Sequence, residues 1–271
     1  DFTFLIFLAC TVISVIVASN AIAALSTWLI FKFSLSLGTQ IQDSLFKHYI
    51  NQDIVYHSRK NSAEIISIIT QETPRMTYMV LQPILFLVSQ FFVVFLISAG
   101  LIYVDFMLAL QATLVIGGGY LVVYKLTKNR LAYHGQKVWD ANNSRIKTLN
   151  ECLGGFKEVK LLGNEADYAA RVHTDNVKVL HSAAIMGLMA DIPKFVIETT
   201  ALCAIMMLAV YLLYTTNSAE KVISILSLYA MAGYKLLPAA QIVFKSISSI
   251  KGNILVVNEV YPHVMAGRNV D

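Results

Sequence analysis

Lys194 and Lys235 are cations set in or beside stretches that otherwise carry no charge. A cation removed from water is costly, and it faces a cavity, a partner group or an aqueous edge. In a cavity, an ammonium attracts an anionic head group such as a lipid phosphate or diphosphate. Lys194 has a second option. Asp191 three residues before it and Glu198 four after share its helix face, and its stem can carry the amine to the water's edge. Lys235 has no acidic residue within a turn, which leaves the cavity reading better placed there.

Three prolines, Pro83, Pro193 and Pro238, fall inside apolar stretches. Each removes an internal hydrogen bond from a helix and creates either a hinge or a fixed bend. Gly117, Gly118 and Gly119 let a neighbouring helix approach closely. Other chemistries find no constellation. The six histidines have no ligand spacing, so no metal site is expected. Cys10, Cys152 and Cys203 form no CxxC pair and read as packing residues. No GxxxxGK[ST] occurs, so no P-loop nucleotide site and no catalytic residue is expected in this chain. The basic segments lack the aromatic interleaving of nucleic-acid binders.

The elements that must position these residues follow from composition. The chain is 56% hydrophobic and 14% charged, with mean hydropathy +0.62, against about 25% charged in soluble domains. The deficit is concentrated in charge-free runs at residues 2–31, 76–104, 106–124 and 199–219. A shorter run at 222–234 reaches spanning length only by taking in Lys235 and Pro238 and continuing through Phe244. About 20 apolar residues cross a bilayer as a helix, so five crossings are expected.

The connections alternate. Residues 101–105 and 214–221 are short and hold only Lys221 among basic residues. Residues 32–75 hold Lys32, Lys47, Arg59, Lys60 and Arg75, and residues 125–178 hold ten Lys or Arg. The positive-inside rule places both long connections, and the C-terminus, in the cytoplasm. They are too long for structureless loops. Leu37, Ile41, Leu45 and Tyr49 repeat every four residues; Leu131, Val138, Ile146, Leu149 and Leu153 follow one helix stripe, and so do Tyr168, Val172, Val179 and Ala183. The crossings are therefore expected to continue as helices beyond the membrane. Asn51-Gln52-Asp53 and Asn61-Ser62 bracket one tip, with Ser62 as an N-cap ahead of Glu64. Gly154-Gly155 and Gly163-Asn164 bracket the other, around a short helix at 156–162. The fold class expected is all-α, a polytopic membrane helical bundle with long cytoplasmic extensions, and no internal repeat.

Two long hairpins, each capped by a short helix, resemble the membrane domain of ABC exporters, in which the caps are coupling helices seated in the ATP-binding domains. Asn51-Gln52-Asp53 with Asn61-Ser62-Ala63-Glu64-Ile65-Ile66 resembles the family's first intracellular loop, and residues 151–165 resemble the second. The resemblance covers residues 1–271 as one transmembrane domain. It implies coupling roles for Gln52, Asp53, Ile54, Val55 and Tyr56, and for Phe156, Lys157, Glu158, Val159, Lys160 and Leu161. It also implies a sixth helix before Asp1, nucleotide-binding domains carrying ATP and magnesium after Val264, and a second transmembrane domain as partner. A bacterial inner membrane is the expected location. Ile192-Pro193-Lys194-Phe195 and Tyr234-Lys235-Leu236-Leu237-Pro238 look like the subgroup that flips lipid-linked oligosaccharides, which often has Arg where this chain has Lys194 and Lys235. The competing expectations are an exporter of peptides or hydrophobic compounds, a secondary transporter, and a non-transporting scaffold. No crossing has an acidic residue at its centre, which counts against ion-coupled transport.

Overall fold

The computed structural model describes residues 2–59, 62–104, 106–216 and 219–268. Every regular element among them is helical: α1 (Phe2–Ile50), α2 (Ile54–Arg59), α3 (Ser62–Ser67), α4 (Thr73–Met76), α5 (Gln82–Val104), α6 (Phe106–Gly154), α7 (Phe156–Leu162), α8 (Glu165–Thr216) and α9 (Ala219–Arg268). Short π-helical turns at Ile68–Glu72 and Thr77–Leu81 join α3, α4 and α5.

Four helices are rods of 49, 49, 52 and 50 residues, or about 75 Å each at 1.5 Å per residue. A bilayer core of about 30 Å accounts for less than half of that. The remainder forms two arms, as the periodicity predicts. Among the described residues, three helices are long and apolar enough to cross a membrane: Phe2–Ile50, Glu64–Tyr103 and Glu165–Tyr211.

Packing is uneven along the rods. The apolar half of α1 is exposed from Phe2 to Ala24 at every described side chain, with Phe2 80% exposed. Lipid or another protein must cover such a surface. The core lies in the arms, where Leu45, Tyr49, Ile65, Ile68, Met76, Val256 and Val260 form one buried cluster. The α6 and α9 rods cross at their closest where Gly135 meets Gly252. A Cβ on Gly135 would strike the Gly252 carbonyl, and one on Gly252 would strike the tip of Met186. The expected glycine triplet behaves differently. Gly119 lies against Ile197, but Gly117 and Gly118 face open space.

The π-turns were not legible as such, yet the prolines behind them were. In the first turn the Thr73 N–H reaches back five residues to the Ile68 carbonyl. The next bond in that register would come from residue 74, but Pro74 has no N–H. The Ile69 carbonyl it would have bonded instead accepts from Gln42 Nε2 of α1 at 2.9 Å. Pro83 follows the second π-turn in a different register. It cannot donate to the Met79 carbonyl four residues earlier, and Ser249 Oγ of α9 donates there at 2.8 Å. Neighbouring helices thus satisfy the groups that proline frees. Pro193 and Pro238 lie inside α8 and α9, which run through them without interruption.

Candidate functional site

Lys235 projects from α9 into a cavity of about 830 Å³ bounded by α1, α5 and α9. Ser19, Ser26, Thr27, Ser89 and Gln90 supply polar groups, and Val15, Ile22, Ile30, Phe86, Val93, Leu96, Ile97 and Ile242 supply apolar wall. The Lys235 amine donates to Asn20 Oδ1 at 2.9 Å, tying α9 to α1. Pro238 lines the same cavity one turn on.

The depth of this amine follows from the helix register. Lys32 stands 5.0 Å from the centre of the Trp28 ring, a lysine–tryptophan pair of the kind that marks a membrane interface. Lys245 pairs with Asp191 at 2.6 Å. The α1 and α9 rods run parallel, with Asn20 opposite Lys235 and Tyr49 opposite His263, which sets Lys32 near the level of Lys245. Lys235 lies ten residues from Lys245, or about 15 Å along the axis at 1.5 Å per residue. That is the middle of a hydrocarbon core about 30 Å thick. An ammonium at that depth is tolerable only with a polar partner or cavity, and here Asn20 accepts its hydrogen bond.

Lys194 is not brought to this cavity. It is exposed on α8, with its amine 5.8 Å from the centre of the Phe195 ring. The local pairing expected with Asp191 is corrected, because Asp191 is taken by Lys245 of α9. Pro193 beside it is fully buried. Pro83 is the second residue of α5, just past the second π-turn.

At the ends of the arms, α2 and α7 lie across the tips. The expected segment 156–162 coincides with α7, and α2 begins at Ile54, so Gln52 and Asp53 precede it. The Asp53 carbonyl accepts the N–H groups of Tyr56 and His57, starting the helix. Ser62, expected as an N-cap, is the first residue of α3, and Asn61 lies outside the described residues. In α7, Val159 is buried while Phe156 and Leu161 are exposed. Gly163 ends that helix at φ 67°, a left-handed turn that glycine adopts without strain. Lys160 reaches across it to Glu165 at 2.7 Å. Ile54 and Val55 are likewise exposed on α2. Two tips thus present apolar side chains to whatever lies beyond the arms.

Sequence reading missed two groups. His57 and His263 are not plain surface residues. The His57 ring donates from Nε2 to the Tyr49 carbonyl at 2.9 Å, and His263 Nδ1 bonds the Tyr49 hydroxyl at 2.7 Å. In addition, Glu72 is buried beside Arg75 at 3.7 Å, and Arg75 continues to Asn253 at 3.2 Å and over the Trp139 ring. The i, i+3 spacing of Glu72 and Arg75 was the available signal.

The rods that outrun a bilayer, the two capped hairpins and the mid-depth cavity make one coherent membrane device. A family model for the ABC transporter transmembrane region matches residues 1–233. That span takes in both hairpins, both tip helices and four of the five long helices, and on it the chain belongs to the transmembrane-domain family of ABC transporters.

Proposed function

We propose that this domain moves an amphipathic, anionic, lipid-linked substrate across the membrane when nucleotide-binding domains bind and hydrolyse ATP. Lys235 carries this reading. It is a cation at mid-membrane depth, in a cavity of mostly apolar wall with hydroxyl and amide groups set among it. An acyl chain fits the apolar wall, and a phosphate or diphosphate meets the ammonium and the hydroxyls of Ser19, Ser26 and Thr27. Asn20 holds the amine in place, so little side-chain entropy is lost when the anion arrives.

In this scheme two such domains enclose the path, with the basic arms in the cytoplasm of a bacterial cell. The exposed faces of α2 and α7 dock on the nucleotide-binding domains, which hold ATP and magnesium. ATP-driven closure of those domains biases the helix bundle between two states, with Pro83, Pro193 and Pro238 as candidate hinges. Lys194 serves the path from the water's edge, where an approaching anion first meets it.

The test is ATPase stimulation in the full-length transporter by lipid-linked sugars and by uncharged hydrophobic compounds. Stimulation by the anionic lipid, lost in Lys235→Ala and retained in Lys235→Arg, supports the reading. Equal stimulation of Lys235→Ala and the parent removes Lys235 from the path. Stimulation by hydrophobic compounds alone supports the peptide or drug exporter instead, for which the apolar wall of the cavity is the relevant feature.

A further inference from the structure

Below its charge-free run, α6 carries a set of cations that the transport cycle just described does not use. Leu131, Gly135, Val138 and Asn142 form its buried stripe. At about 100° per residue, Val122, Leu126, Tyr133 and Lys137 lie on the opposite side, all exposed. Lys125 and Arg130 flank them to left and right, with Asn129 between, and these three are exposed as well.

Among the described residues, some arm cations pair with a carboxylate and others, Lys128 and Lys157 among them, have no such pair. Lys147, Lys160, Arg171, Lys178 and Lys245 each pair with a carboxylate. Among the described residues, Lys125, Arg130 and Lys137 have no such partner, and no Asp or Glu occurs from Phe106 to Trp139. The Lys137 amine sits 4.6 Å from the centre of the Tyr133 ring. His134, on the adjacent flank, has its pKa lowered by burial and then by Lys137, His181 and Arg130, in keeping with a local positive field.

Depth completes the picture. Gly135 and Gly252 touch, and α6 and α9 run parallel, so residue 128 of α6 is level with Lys245 at the membrane interface. Leu121, Val122 and Leu126 therefore face hydrocarbon, Lys125, Asn129 and Arg130 face head groups, and Tyr133 and Lys137 face the water just beyond.

We propose that this face of α6 binds an anionic phospholipid of the leaflet on the side of the arms, separate from the transport cavity. Its acyl chain lies along Val122 and Leu126. Its phosphate sits between Lys125 and Arg130, with Asn129 donating from the middle. Tyr133 and Lys137 meet the outer part of the head group. Basic residues beside a transmembrane helix attract anionic lipid in an additive way. A second copy using this same face would set cation against cation.

The experiment uses the full-length transporter in nanodiscs of phosphatidylcholine, doped with photoreactive phosphatidylglycerol or with phosphatidylcholine bearing the same photoprobe. Labelling is mapped by peptide. The segment spanning residues 121–133 is expected to label several-fold more with phosphatidylglycerol. Lys125→Gln combined with Arg130→Gln brings the labelling ratio of the two lipids down to about one. A charge-matched control, Lys128→Gln with Lys147→Gln, leaves the excess in place, because Lys128 projects about 100° round the helix from Asn129 and Lys147 lies about 25 Å farther down the arm. Lys235→Ala also leaves it in place, which separates this site from the transport cavity. Equal labelling by the two lipids, or equal loss in both double variants, overturns the proposal. So does a disulfide between two copies through Leu126→Cys, which would show another protomer covering the face.

Discussion

The two arms end alike but are held differently. The first tip is pinned from inside the chain. His57 of α2 bonds the Tyr49 carbonyl, Tyr56 packs against the Tyr49 ring, and Tyr49 is itself 2% exposed in the main core. The second tip is held by its own backbone turns, by Val159, and by an exposed Lys160–Glu165 pair. The same contrast runs up the hairpins. The returning helix of the first arm is broken by two π-turns and carries a buried charge pair. The second arm is two unbroken rods with surface pairs at i, i+4 spacing. The first arm is thus pinned by side-chain bonds around its tip, and the second by the packing of two long helices, with Arg145 of α6 bonding Asn176 of α8. In the proposed function, an arm of the second kind would transmit a push while its tip seats on another surface.

The sharpest way to break this comparison is to remove matching charges from the two arms. Arg75→Ala leaves Glu72 buried without its cation, and loss of one partner from a buried pair costs about 3 kcal/mol. Lys147→Ala in the second arm removes an exposed partner of Glu151 and costs under about 0.5 kcal/mol. Thermal unfolding of the purified transporter measures both. Equal losses would mean that the arms are stabilised in the same way.

Next in size is the repair of the proline breaks. Ser249→Ala withdraws the hydroxyl from the Met79 carbonyl, to which Pro83 cannot donate, at a cost of about 1 kcal/mol. Restoring the missing donor with Pro83→Ala in the same chain should recover part of that loss. If Ser249→Ala costs the same with and without Pro83, the hydroxyl is not acting on the orphaned carbonyl. At the first tip, His57→Ala removes one hydrogen bond to Tyr49, and amide exchange across α2 should rise about fivefold.

Most of the architecture was legible because it rests on period and charge. The four-residue spacing of Leu37, Ile41, Leu45 and Tyr49 predicted that α1 outlasts the membrane, and Gly154-Gly155 and Gly163-Asn164 marked the ends of α7. What escaped depended on contacts between distant segments. Asp191 lies closer in sequence to Lys194, yet α9 delivers Lys245 to it. Asn20 and Lys235 are 215 positions apart, and no local pattern could pair them. The π-turns stayed hidden because their cause is divided. Pro74 and Pro83 are visible in the sequence, but Gln42 and Ser249, which make the altered register affordable, lie on other helices.

The smallest effect is expected at the second tip, and it is the most discriminating. Lys160 and Glu165 meet at 2.7 Å, but both side chains stay largely in water. Their bond holds the Glu165 carboxyl below its usual range, with Lys160 as the main cause. In an exposed pair, solvent offsets most of that attraction, so it adds little to folding. Lys160→Ala should therefore leave the melting temperature of the isolated transporter unmoved, while His57→Ala at the first tip lowers it. If α7 seats on a nucleotide-binding domain, the same Lys160→Ala variant should still reduce substrate-stimulated ATPase activity, because the lost contact lies outside the folded chain. A fall in melting temperature matching that of His57→Ala would show that the second tip is pinned from within after all, and the contrast between the arms would fail.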